Sequence, residues 1–304
     1  MYLGWIDYGV LALLLSFSAI IGIYQGCIRS KQLSTKEFLI ADGQMSILPT
    51  AMSLLASTRS ASTLLGSPVE VYQYGTTYLA TKLFIPKFHQ IGSVSIYAYL
   101  EQRFSLTVRI VVTCTFLFTT ILYMAVILYA PSLALSQVTG LNIWLAVGSC
   151  GLVCTIYTSI GGMKAVIWTD VIQTIILFLG IVVSIIFGFV NMGGITKIFE
   201  TLTAGNRLQF SVMTLDPSVR YTFWSILFGK TFFDTALCAC LQTHAQRYMC
   251  VKDIKAAQRA AWIYYVMTVM IIILCTCVGC LLYAKYSQCD PLRAKLISKP
   301  DQVG

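Results

Sequence analysis

Seven stretches of this chain stay apolar for about 20 residues, the length an α-helix needs to cross the hydrocarbon core of a bilayer. They lie at roughly 5–25, 46–66, 108–130, 142–160, 166–190, 221–243 and 261–284. Backbone amides and carbonyls find no water at that depth, so each segment must satisfy its hydrogen bonds internally. The chain therefore reads as an all-α polytopic membrane protein. Composition agrees: 57% of the 304 residues are hydrophobic and 11% are charged, against about 25% charged in a soluble domain. An eighth stretch, about 78–99, is interrupted by Lys82, Pro86, Lys87 and His89. It spans only where partner helices or water accept those groups. The first run lacks a basic leader and a small-residue cleavage site, so it reads as a retained helix.

The formal net charge is +9, and its placement matters more than its size. The cations sit in short loops beside apolar runs, which points to membrane topology and anionic lipid and not to nucleic acid. Loop 26–45 carries Arg29, Lys31 and Lys36, and loop 245–260 carries Arg247, Lys252, Lys255 and Arg259. The preference of basic loops for the cytoplasm puts 26–45 inside and the N-terminus outside. If segment 78–99 spans, each side of the later part of the chain receives seven basic residues: Arg103, Arg109, Lys164, Arg247, Lys252, Lys255 and Arg259 against Lys197, Arg207, Arg220, Lys285, Arg293, Lys295 and Lys299. The charge count does not orient that half.

Between two of the apolar runs lies TSIGGMKAVIWTDVIQ, residues 158–173. Gly161-Gly162 permits a sharp turn between two spanning helices. Lys164 then anchors the turn at the surface, Trp168 lies at the interface, and Asp170 is expected in the first turn of the next helix, where a carboxylate complements the helix dipole. Read this way, the stretch is an anchored hairpin and carries no chemistry.

The middle of the second apolar run, Ala56-Ser57-Thr58-Arg59-Ser60-Ala61-Ser62-Thr63, is a cluster of hydroxyls around one arginine. Small hydroxyl residues often form helix–helix contacts in membranes. A locally unwound helix would instead use them, with freed carbonyls, to hold a hard cation and a polar solute. An arginine at mid-membrane needs a cavity or a partner. Asp234 is one candidate, although Lys230 lies one helical turn before it. The sequence shows no general acid/base pair, metal-ligand cluster or phosphate loop, and His89 and His244 are isolated. Catalysis is not expected. Eleven cysteines are present, most of them inside apolar runs. Most read as small hydrophobes, and Cys289 lies in a polar segment.

Five stretches together carry a resemblance: SLLASTRSASTLLGSPVEVYQYGT, SIYAYLEQRFS, YTSIGGMKAVIWTDVIQ, QTHAQRYMCVKDIKAA and CDPLRAKLISKPDQ. The chain resembles the sodium:solute symporter family, closest to its animal branch of monocarboxylate, multivitamin and iodide carriers. The resemblance implies a LeuT-like inverted-repeat fold in one membrane domain over 1–304. It places a leading helix at 5–25, the first five-helix repeat at 46–190 and the start of the second repeat at 221–284. It implies sodium-coupled symport of a small organic anion across the plasma membrane, with sodium as coupling ion and no other cofactor.

Sodium would be held by backbone carbonyls at Ala56 and Arg59, and solute by Ser60, Thr63 and Asp234. Family members carry an apolar residue at the Arg59 position. On the family's pattern the second core helix is short, with ten residues between Gly75 and Pro86, and the sequence stops before the eighth core helix. The alternative implied is a non-transporting membrane protein that is inactive or associates with full-length relatives, in a homo- or hetero-oligomer.

Overall fold

The computed structural model describes residues 5–29, 34–58, 96–205 and 241–287, with isolated positions between 213 and 229. Helices account for nearly all of them: α1 (Trp5–Ile23), α2 (Thr35–Ile40), α3 (Ile47–Thr58), α4 (Ile96–Arg103), α5 (Leu106–Thr139), α6 (Ile143–Asn191), α7 (Ile195–Ala204), α8 (Gln242–Tyr248) and α9 (Ile254–Tyr286). The all-α reading holds, and among the described residues there is no strand beyond a single bridge between Met45 and Val251. Four of the helical stretches are long and apolar enough to cross a membrane: Tyr8–Cys27, Leu106–Gln137, Ile143–Asn191 and Ile254–Tyr286. Residues 78–95, 225–227 and 230–240 lie outside the described residues, and with them most of two expected spans.

The 49 residues of α6 would make a straight rod of about 74 Å, more than twice the ~30 Å hydrocarbon core. The rod breaks at Gly162, whose φ of 57° and ψ of −158° belong to a region only glycine occupies readily. The two arms then lie side by side. The side chains of Tyr157 and Thr169 come near enough to interact, whereas a straight helix would hold those residues about 18 Å apart. A Cβ on Gly161 would come within 2.2 Å of the Ala165 Cβ. The hairpin expected from Gly161-Gly162 is present.

The chain divides into two compact units. One is built from Met1–Ser62, Pro86–Gln173 and Ala239–Ile263. Here α1 lies against the first arm of α6 at backbone distance: a Cβ on Gly22 would meet the Tyr157 Cβ at 2.4 Å, and one on Gly26 would meet the Ile160 carbonyl oxygen at 2.2 Å. Glycines four apart let two membrane helices approach this closely. At the other end of α1, the Tyr8 hydroxyl donates to the Thr139 carbonyl at the end of α5. Thus the tip of the hairpin, the end of α1 and the segments that follow it gather at one end of this unit.

That end is closed by residues 34–45, which fold into short helical turns. Ser34 caps α2 by accepting from the Glu37 amide at 3.1 Å. Ala41, Asp42 and Gly43 then all take positive φ and turn the chain back, so that the Met45 amide donates to the Cys250 carbonyl at 2.9 Å. Ile40, Ala41, Ile167 and Cys250 form a small core there, with Met45, Met163 and Met249 packed around it.

The second unit comprises Thr63–Ile85, Thr174–Cys238 and Tyr264–Gly304. Its described core joins α7 to α9: Ile198 and Leu202 are buried with Leu281 and Ala284. Within the polar, glycine-containing stretch 191–220, Gly193 and Gly194, both at positive φ, end α6 and let α7 start at once. Gly205 closes α7 against the Tyr283 ring, where a Cβ would come within 2.1 Å of the hydroxyl.

Candidate functional site

The most polar buried point in the described structure lies in the first unit, where three segments far apart in sequence converge. Ser53 comes from the middle of α3, Asp170 from the second arm of the α6 hairpin and Arg247 from α8. Ser53 is fully buried, and Asp170 retains 9% of its exposure. The Ser53 hydroxyl donates to Asp170 Oδ2 at 2.5 Å. The Arg247 Nε–H donates to the Ser53 oxygen at 2.8 Å, and Arg247 Nη2 stands 3.6 Å from the same Asp170 oxygen. The guanidinium thus reaches the carboxylate both through space and through the serine. A second guanidinium donor returns to the Thr243 carbonyl at 3.1 Å, tying the side chain to its own helix.

Each member is held in place by local structure. Thr50, one turn before Ser53, bonds back to the Ser46 carbonyl at 3.0 Å, and Thr50, Ala51, Leu54 and Leu55 are buried around it. Asp170 is fixed by the break at Gly162, because it lies more than two turns along the second arm. This corrects the expectation that it serves the dipole in the first turn. Arg247 is aimed inward by α8, whose Gln246 donates to the Leu39 carbonyl at 3.2 Å. A removed partner here would leave an uncompensated charge at low dielectric, a far larger penalty than the pair's own net worth. The arrangement is a polar clamp that fastens α3, the hairpin and α8 at one end of the unit.

Around it the cations at that end sort into two kinds. Lys164 reaches Glu37 at 2.6 Å, so the residue expected to anchor the turn at the surface instead ties the turn to α2. Arg247, counted in sequence among loop charges, is largely buried. Lys36, Lys252, Lys255 and Arg259 are exposed. At the start of α5, Arg109 pairs with Glu101 of α4.

Of the site residues expected from sequence, Ala56 is described: it is half-buried in the last described turn of α3. There the Ser57 hydroxyl donates to the Leu54 carbonyl at 2.9 Å, and Thr58 to the carbonyls of Leu54 and Leu55 at 3.1 and 3.0 Å. Such back-bonding weakens helical hydrogen bonding, and it occurs one residue before Arg59. Arg59, Ser60, Thr63 and Asp234 lie outside the described residues, as do Lys230 and Cys289. Among the described residues no group of three or more His, Cys, Asp and Glu side chains converges. The sequence reading missed the Ser53–Asp170–Arg247 cluster. The available signal was Asp170 itself, a carboxylate deep in an apolar run that needs a named partner.

The profile of the Sodium:solute symporter family matches residues 38–303. The chain belongs to that family, whose members are transporters and not enzymes. Among curated relatives it is 40% identical over 309 residues to the human (Homo sapiens) sodium-coupled monocarboxylate transporter 1, covering 98% of this chain and 51% of the relative. It is 39% identical to the sodium-dependent multivitamin transporter of Oryctolagus cuniculus, covering 93% and 46%. It is 38% identical to the human sodium/iodide cotransporter, covering 97% and 48%. The chain spans about half the length of these relatives. Among solved structures, it matches a Na+-coupled sialic acid symporter in a substrate-bound outward-open state with a TM-score of 0.88, at 25% identity over 99% of this chain and 66% of that one. The expected LeuT-like transporter fold is thereby shown.

Proposed function

We propose that this chain works in sodium-coupled symport of a small organic anion, a monocarboxylate or a vitamin-like solute, across the plasma membrane, with sodium as the coupling ion. The observation that carries the reading is the match to a Na+-coupled symporter along 99% of the chain, joined to the monocarboxylate and multivitamin carriers among its relatives. The leading helix is 5–25, the first repeat 46–190 and the start of the second 221–284. Sodium is held by the carbonyls of Ala56 and Arg59, and solute by Ser60, Thr63 and Asp234. The Arg59 guanidinium lies beside the sodium carbonyls in sequence and repels a bare cation. It favours a bound anion, so solute and ion stabilise one another's binding.

The clamp supplies the mechanical part. Alternating access requires one end of the bundle to be closed while the other admits solute. Ser53, Asp170 and Arg247 fasten three segments at the end that also carries the exposed cations. We read this as the cytoplasmic end, with the N-terminus outside. The likeness to an outward-open structure supports a closed inner end. Inward opening then requires the Arg247 contact to separate or to find other partners, and a ligand shifts the balance only by binding one state better than the other.

The test is uptake of radiolabelled monocarboxylates with sodium or choline in the medium, in cells displaying the chain alone or extended by the remaining length of a relative. Sodium-dependent uptake by at least the extended version is expected. Absence of sodium dependence in both, at confirmed surface expression, overturns the reading. Co-migration with a full-length relative on a native gel, without uptake, supports the non-transporting alternative.

A further inference from the structure

The start of α9 presents charge in a pattern the clamp does not use. Its buried side is Ala257, Ala260, Ala261 and Tyr264, which fixes the rotation of the helix. The opposite side turns Lys255, Arg259 and Trp262 outward, at the i, i+4, i+7 spacing of one helical face. The same face continues with Val266, Met270 and Ile273, all about half exposed. A charged surface therefore passes through an indole into an apolar stripe along a single helix. That is the order of a lipid headgroup layer, its interface and its hydrocarbon.

Lys252, just before the helix, is exposed as well. Among the described residues none of Lys252, Lys255 and Arg259 has an ion-pair partner. The nearby carboxylate of Asp253 is engaged in capping, accepting from the Ala256 amide at 3.1 Å. Lys36 of α2 adds a further exposed cation at this end of the unit.

We propose that Lys252, Lys255 and Arg259, with Trp262 as the interfacial anchor, form a docking surface for the anionic headgroups of the adjacent leaflet. Charge complementarity and continuity with the lipid-facing stripe select a lipid and not a soluble partner. The long aliphatic stems lie along the apolar surface while the charged ends reach phosphate and carboxylate oxygens. The proposal does not depend on which solute the chain carries.

The test is native mass spectrometry of the full chain in neutral detergent, offered equal amounts of phosphatidylserine and phosphatidylcholine. Retained lipid is expected to be enriched in phosphatidylserine by about fivefold or more, and the enrichment should fall as salt is raised. A K252Q/K255Q/R259Q variant should lose it, and K252R/K255R should keep it. Because all three positions are exposed, the glutamine variant should unfold at the wild-type temperature. If it does not fold, R259Q alone must still reduce the enrichment. Equal retention of the two lipids, undiminished enrichment in the glutamine variants, or displacement by inorganic phosphate overturns the proposal.

Discussion

Arg247 and Arg259 come from the same short basic stretch and meet opposite fates. Arg247, on α8, is turned into the protein and bound to Ser53 and Asp170. Arg259, on the first turns of α9, faces outward without an ion-pair partner among the described residues. In a count of loop charges the two are equivalent. In the structure one cation is a buried fastener and the other is surface charge available to lipid. The difference comes from what each helix packs against. Helix α8 is tied to the carbonyl of Leu39, whereas the early turns of α9 bury small alanines on one side and leave the long side chains on the other.

The comparison breaks most sharply at Arg247. Replacing it with leucine leaves Asp170 buried without its cation, and should destabilise the protein in detergent by ~3–5 kcal/mol. The corresponding R259Q change should stay within about ±0.5 kcal/mol. Ser53→Ala is expected to fall between them, at ~1–3 kcal/mol, because both the guanidinium and the carboxylate lose a partner at a fully buried position. Lys164→Ala removes a partly exposed pair with Glu37 and should cost about 0–1 kcal/mol. Thermal unfolding of the four variants in one detergent ranks them.

Cys250, on the turn between the two helices, sharpens the contrast chemically. Burial pushes its thiol up to about 12, outweighing the opposite pull of the Arg247 charge. Below that pH the thiolate, the reactive form, is scarce. Maleimide labelling near neutral pH should therefore leave Cys250 unmodified in the folded chain. It should rise in the Arg247→Leu variant if that variant opens the end of the unit.

The sequence made the helical hairpin legible because Gly161-Gly162 is a local signal: a conformation only glycine tolerates sits between two apolar runs. The long spans were legible for the same reason, since a bilayer imposes length on composition. Helix α7 was hidden by the glycines before it, although Ile195, Ile198, Phe199 and Leu202 follow the i, i+3, i+4, i+7 pattern. The clamp was not legible, because its geometry is not local. Ser53 meets Asp170 across 117 positions and Arg247 across 194, and no spacing rule connects them. Asp170 could be noticed as a costly carboxylate, but its partner follows only from the fold. Of the residues expected to hold solute and sodium, Ala56 is among the described residues, and the roles of Ala56, Arg59, Ser60, Thr63 and Asp234 all rest on the family resemblance.

The central claim is that Asp170 and Arg247 act as one unit that fastens this end of the protein. A double-mutant cycle tests it most directly, with unfolding measured for the wild type, D170N, R247Q and the double variant. If the account is right, each single change is strongly destabilising and the double variant is much less so than their sum, giving a coupling of ~1–3 kcal/mol. Additive effects, with the double variant as unstable as the two losses combined, would mean that the two residues stabilise the protein independently and that the clamp does not exist.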